Sequence, residues 1–200
     1  MIALAKHDNI IAMPTRSNEW YTPARYIEAA RAVLGGIDLD PASCEMANRT
    51  VKATRYYTQS ENGLEQPWYG RIWLNPPYGS TNGKSNMRTF AIKLVQEYLS
   101  GNVKQAILLT TSRTDTDHFR LLWEYPICFS DHRVAFYRPR KHFAELASEA
   151  AHMHGTIFVY LGHNEQTFID TFSRFGRIAR AIDVPAPHPM PLSLWEAHTW

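Results

Sequence analysis

Asn75-Pro76-Pro77-Tyr78 is the stretch of this 200-residue chain whose composition suits chemistry on a planar amine. The exocyclic amine of a ring such as adenine is a poor nucleophile, because its lone pair is delocalised into the ring. Methylating it requires two acceptors that draw the N–H bonds aside and turn the lone pair out of the plane. Asn75 offers a neutral side-chain carbonyl, and Pro76 offers a backbone carbonyl on a residue with no N–H of its own. A residue that precedes proline is pushed to an extended conformation, which biases Asn75 and Pro76 alike and stiffens the segment. Tyr78 adds a flat face on which a base can stack, a contact worth about 1–3 kcal/mol. The competing reading is a plain proline turn; the apolar run before the segment and Gly79 after it weigh against that.

That run, Arg71-Ile72-Trp73-Leu74, reads as a short strand that carries the motif at its end. Upstream, Ile27, Ala30 and Leu34 recur at helical spacing, with Thr22 as N-cap, Pro23 at the first helical position and Gly35-Gly36 as the stop. Ile37 to Asp40 then reads as a strand closed by Pro41, and Ser43 as the cap of a helix reaching about Ala53. Thr58–Tyr69 reads as a loop, Gly79–Asn86 as a mobile polar loop, Met87–Leu99 as a helix and Val103–Leu109 as a buried strand. Beyond Thr110 the pattern predicts a helix over Asp115–Glu124, then a sheet-edge hairpin from strands at Ile127–Phe129 and Val134–Tyr137. A buried strand at Thr156–Leu161, a helix at Gln166–Phe172 and a last strand at Arg177–Ile182 follow. Such alternation predicts an α/β fold, a mostly parallel sheet flanked by helices, with ligands outside the carboxyl ends of the strands. Residues 1–18 read as a mobile lead-in, 19–183 as a single domain and 184–200 as a proline-rich tail.

At 44% hydrophobic and 20% charged, the composition is that of a globular domain and not of a disordered or fibrous chain. A net charge of +2 permits a nucleic-acid partner without demanding one. Cys44 and Cys128 are the two cysteines, too few for a disulfide framework or a zinc knuckle, so a reducing cytoplasm is the default expectation. His152 and His154 lack a third partner at ligand spacing, so no metal site is expected. No run approaches the roughly 20 apolar residues of a membrane span, and the start has no signal-peptide core.

Taken together, the motifs resemble those of the bacteriophage-type DNA N6-adenine methyltransferase (Dam) family. The likeness covers roughly residues 18 to 180. It runs through Trp20-Tyr21-Thr22-Pro23, Asp38-Leu39-Asp40-Pro41-Ala42, Asn62-Gly63-Leu64 with Trp68, and Asn75-Pro76-Pro77-Tyr78-Gly79. It continues through Leu108-Leu109, Thr114 to Phe119, Arg133 to Phe136 and Thr156 to Leu161. The resemblance implies a Rossmann-like methyltransferase of phage or prophage origin. Its methyl donor would be S-adenosylmethionine, its acceptor the amine of a flipped adenine in double-stranded DNA, and it would use no metal. Asn75, Pro76, Pro77 and Tyr78 would then be catalytic. Tyr21, Thr22 and Pro23 would line the cofactor pocket with Pro41, while Asp38 and Asp40 suit the ribose hydroxyls or the ammonium of the cofactor. The chain departs from the wider methyltransferase pattern in having no glycine between Gly36 and Gly63, where a glycine-rich turn usually follows the first strand.

Lys84, Arg88, Arg113, Arg133, Arg138, Arg140 and Lys141 are the candidates to meet DNA phosphates, against the plain alternative of solvated surface. Asp38 and Asp40 have their own plain alternatives, a solvated strand-end charge and an Asx turn. Two other functions remain open on the sequence: the same chemistry on RNA or a protein glutamine amide, and a DNA-binding relative that has lost catalysis.

Overall fold

Val103–Thr111, the longest run in the central sheet, shows how the core is organised. Ile107 and Leu109 pack to one side and Ala106 and Leu108 to the other, all fully buried. A strand covered on both faces reads as a near-continuous apolar run, and the sheet built around it is sandwiched between helices. The structure, a computed structural model, describes residues 20–140, 143–151 and 155–181; from 138 to 151 the backbone alone is described. The expected lead-in and the proline-rich tail lie outside the described residues.

In chain order the first elements are α1 (Ala24–Leu34), β1 (Leu39–Asp40), α2 (Glu45–Val51), β2 (Arg55–Tyr56) and β3 (Gly70–Leu74). A small hairpin of β4 (Ser80–Thr81) and β5 (Lys84–Ser85) leads to α3 (Asn86–Leu99), then β6 (Val103–Thr111), α4 (Phe119–Leu122) and β7 (Ile127–Ser130). A separate hairpin of β8 (Ala135–Arg140) and β9 (Phe143–Ala151) precedes β10 (Thr156–Leu161), α5 (Glu165–Phe172) and β11 (Gly176–Ala179). Seven strands form the main sheet in the order β11-β7-β10-β6-β3-β1-β2. The pairings β6-β3, β3-β1 and β1-β2 are parallel, whereas β10 runs antiparallel to both β6 and β7, and β7 to β11. The sheet is thus mixed: the expected parallel arrangement holds across the half that carries β1 and β3. α1 and α5 cover one face through Tyr26, Ile27, Phe168 and Phe172, and α3 and α4 cover the other through Phe90, Leu94, Phe119 and Leu122.

Four expectations need local correction. The polar loop after Gly79 is a hairpin, because Asn82 and Gly83 both take positive φ (51° and 75°), the requirement of a tight two-residue turn. The helix expected from Asp115 is one turn starting at Phe119. Its first residues are held otherwise, Thr116 donating to the Arg113 carbonyl (2.8 Å) and the His118 N–H to the Asp117 carboxylate (2.7 Å). The two strands read as one edge hairpin belong to different sheets: β7 lies between β10 and β11, and β8 pairs with β9. Thr22 does not cap α1; the cap position is Pro23, without a side-chain hydrogen bond.

Candidate active site

β1 and β3 are parallel neighbours, with Leu39 opposite Ile72. Their connections leave in opposite directions. After β1 the chain enters α2, whose Val51 packs with the α1 layer; after β3 it passes through the β4-β5 hairpin to α3 on the other face. Diverging connections open a crevice at the carboxyl ends of such strands. Here the crevice is a cavity of about 970 Å³. Asp40 to Cys44 form one side of it, Asn75 to Tyr78 another, and Trp20 to Thr22 with Asn62 to Leu64 complete much of the wall.

Asn75 is fixed by its amide nitrogen. Nδ2 donates to the Trp20 carbonyl (3.0 Å) and to Thr22 Oγ1 (3.3 Å). Its Oδ1 is buried and accepts no hydrogen bond. A buried carbonyl left unpaired costs about 1–3 kcal/mol, so such an atom needs an explanation. Tyr78, half-buried, meets the Trp20 ring edge-on at 6.4 Å, and burial pushes its phenol above the usual range. Trp20 in turn packs edge-on against Phe136 at 6.0 Å. The Tyr21 backbone is bonded in both directions to Tyr137 at the start of β8 (2.9 and 3.0 Å).

At the β1 end of the cavity, Asp40 is only 3% exposed and accepts from the Ala42 N–H (3.2 Å). Burial pushes its carboxyl up to about 7, a shift that the Ala42 N–H and the Ser43 hydroxyl oppose. Ser43, read as a helix cap, is not one: Cys44 takes the cap position and accepts from the Ala47 N–H (3.5 Å). The Ser43 hydroxyl is buried on the cavity lining, next to the Asp40 carboxyl. Gly63 approaches this end so closely that a Cβ there would lie 1.9 Å from the Pro41 carbonyl oxygen. Its own carbonyl accepts from the buried Trp68 indole (2.7 Å), which holds the loop in place.

A family model described as DNA N-6-adenine-methyltransferase (Dam) matches residues 12–165 of the chain. This chain belongs to the Dam family. A search of curated proteins and one of solved structures gave no match. A Dam-family protein modifies the N6 amine of adenine in DNA, and both a DNA substrate and transferase activity follow from membership. Among the described residues, no helix is long and apolar enough to cross a membrane and no cluster of three His, Cys, Asp or Glu is placed to hold a metal ion.

The remaining expected Dam-site residues are distributed unevenly. Tyr21, Thr22, Asp40, Pro41, Asn75, Pro76, Pro77, Tyr78 and Lys84 share the cavity. Pro23 starts α1 beside it. Asp38 does not join them. It precedes β1, two residues and one pleat back from Asp40, and its carboxylate is held by the Arg71 N–H (2.8 Å), Nε (2.9 Å) and Nη2 (2.7 Å). Those bonds keep its carboxyl below the usual carboxylate range. The reading of Asp38 as a cofactor ligand is therefore replaced by that of an ion pair joining the start of β1 to the start of β3.

Of the basic residues, Arg88 is paired with Asp117 (2.6 Å) and Arg113 with Asp115 (2.9 Å). Arg133 is exposed just past β7; β6 and β7 are both antiparallel to β10, so it emerges at the same sheet edge as Asn75 and Arg113. Arg138 and Arg140 lie on β8 with side chains outside the description, and Lys141 lies outside the described residues. A smaller cleft of about 270 Å³ on the other side of Tyr78 is lined by Met87, Arg113, Thr116 and His118. His118, 5% exposed and held below its usual range chiefly by burial, went unremarked in the sequence. Only its place in the Thr114 to Phe119 stretch of family likeness marked it.

Proposed function

We propose that this chain transfers the methyl group of S-adenosylmethionine to the N6 amine of an adenine turned out of a DNA duplex, on a Rossmann-like sheet. One observation carries the reading: the buried, unpaired Oδ1 of Asn75, whose amide nitrogen is already committed to Trp20 and Thr22. An acceptor held in place and left empty is suited to an incoming N–H. The backbone carbonyl of Pro76 is the second acceptor, on a segment made stiff by two prolines. With both N–H bonds drawn aside, the lone pair points away from the ring plane. The nitrogen becomes cationic as it reacts, so these two oxygens stabilise the transition state more than the ground state.

The family implies a sulfonium cofactor, and the residues at the other end of the cavity fit one. Asp40 and Ser43 put a nearly buried carboxyl and a buried hydroxyl beside each other at the end of β1, a donor and acceptor set for the hydroxyls or the ammonium of such a molecule. S-adenosylmethionine, when bound, supplies an activated methyl that needs no covalent enzyme intermediate. The chain's own work is then positioning: Asp40 and Ser43 hold one reactant, Asn75 and Pro76 the other, within one cavity. Tyr78 gives the extruded base a face to stack on, which partly compensates the few kcal/mol of unstacking. Lys84, Arg113 and Arg133 are the DNA contacts best placed at this edge.

Single-molecule sequencing of DNA from cells expressing the protein tests the reading. N6-methyladenine at a recurrent context is expected; unmodified adenine in those cells, with methylated RNA or glutamine in its place, overturns it.

A further inference from the structure

We propose a lock on Asn75, in which the Trp20 carbonyl sets which end of the amide faces the substrate and the Thr22 hydroxyl holds the amide there, making Thr22 a positioning residue for methyl transfer and not a cofactor ligand. The proposal rests on the acceptor role of Asn75 given above. A primary amide has two orientations of nearly equal shape, related by a half-turn, that exchange its donor and its acceptor. In one, Asn75 accepts from an amine; in the other, its NH2 meets the amine's own N–H and repels it. Here the amide nitrogen donates to Trp20 O at 3.0 Å and Thr22 Oγ1 at 3.3 Å, which uses both of its N–H groups. A half-turn would place Oδ1 against the Trp20 carbonyl, two acceptors in contact, and forfeit that bond, while the Thr22 hydroxyl would have to turn and donate where it now accepts.

Three observations show that the lock is built in. Thr22 is 8% exposed, and its hydroxyl is not used to cap the helix that begins beside it. The Trp20 ring is wedged edge-on between Tyr78 and Phe136, at 6.4 and 6.0 Å. The intervening Tyr21 is strapped by two backbone bonds to Tyr137. A further consequence concerns aspartate at position 75. A carboxylate is acceptor-only, so it would set a charged oxygen against the Trp20 carbonyl, whereas a protonated carboxyl could donate there and leave its other oxygen as a neutral acceptor.

The test measures kcat and cofactor affinity separately in three variants of the full-length chain. Thr22→Val, equal in shape but without an acceptor, is expected to lower kcat roughly tenfold, the worth of one hydrogen bond, with adenosylmethionine affinity unchanged; Thr22→Ser is expected to restore it. Asn75→Asp is expected to be inactive near pH 8 and to gain activity, relative to the unaltered protein, as the pH falls. The titratable groups on the same cavity are Tyr21, Asp40, Cys44, Tyr57, Tyr78 and Lys84; all are present in both proteins, so the ratio isolates position 75. An unchanged kcat in Thr22→Val, a loss of cofactor binding matching its loss of activity, or an Asn75→Asp variant as active as the original at pH 8 overturns the lock. Should Thr22→Val fail to fold, the Asn75→Asp profile decides alone. Full activity in Asn75→Ala, assayed in parallel, would instead overturn the acceptor role on which the lock depends.

Discussion

Asp38 and Asp40 show how far two residues of one type, two positions apart, can differ in what they do. Asp40 ends β1 and Asp38 stands just before its first residue; an extended chain advances about 3.3 Å per residue, so a single pleat separates the lip of the cavity from the start of the strand. Asp38 spends its charge on Arg71, whereas Asp40 is buried beside empty space and holds its proton up to about pH 7. Replacing Asp38 with Ala is expected to destabilise the protein by about 1.5–3 kcal/mol, the range for hydrogen bonds to charged groups, without changing cofactor affinity; thermal melting and calorimetry check the two halves. Asp40 carries the opposite expectation. Below about pH 7 its carboxyl is neutral in the free protein and a poorer partner for a cationic or hydroxyl donor. Adenosylmethionine affinity should therefore weaken as pH falls from 8 to 5, by up to about tenfold per unit for one linked proton, and this dependence should flatten in Asp40→Asn. The sequence placed both aspartates at a strand end; it could not say which end, because a two-residue strand gives no periodicity from which to read its limits.

The elements around the cavity were legible where their punctuation is strong. Gly35, in the left-handed region at φ 72°, ends α1 where the sequence stops it, and β3, α3 and β10 fall within a residue or two of their expected ranges. The β4-β5 hairpin escaped notice although Asn82-Gly83 is a strong turn signal, because four residues of strand on a polar stretch carry no hydrophobic alternation. Ser43 and Thr22 mislead for a shared reason: each stands next to a helix start, and each helix is capped without it, Cys44 serving α2 and Pro23 occupying the cap position of α1. Neither hydroxyl is used in a cap: that of Thr22 accepts from Asn75, and that of Ser43 lies on the cavity lining. The loop from Thr58 to Tyr69 tests how tightly the wall is made. In Gly63→Ala the new Cβ would meet the Pro41 carbonyl at 1.9 Å, and overpacking of this kind costs typically 1–3 kcal/mol. The variant is expected to melt at lower temperature and to bind adenosylmethionine more weakly; unaltered binding by calorimetry would mean the loop does not shape the cofactor end.

For the molecule as a whole, the alternation of strands and helices was sufficient to anticipate a helix-flanked sheet with its crevice at the carboxyl ends. It was not sufficient to see that β10 reverses direction between β6 and β7, since an apolar strand buried on both faces reads alike in either direction. β7 nevertheless runs in the same direction as β6 and β3, so its end, and with it Arg133, lies at the edge where Asn75 sits. The net charge is only +2, and of the cations expected to meet DNA, Arg88 and Arg113 are paired to aspartates while Lys84 lines the cavity. Lys84→Ala is thus expected to reduce the slope of log affinity against log salt by about 1, measured by fluorescence titration on a duplex. Arg113→Ala, which also releases Asp115, should change it less.

The account stands on the empty acceptor at Asn75, and one assay addresses it directly: incubate purified protein with methyl-labelled S-adenosylmethionine and duplex DNA, digest to nucleosides, and quantify label in N6-methyl-2′-deoxyadenosine for the unaltered chain and for Asn75→Ala, alongside cofactor affinity for both. Label in N6-methyladenine for the unaltered chain, its loss in the variant and equal cofactor affinity in the two are expected. Equal label in the variant, or a loss that merely follows weakened cofactor binding, would contradict the claim that this side chain grips the amine.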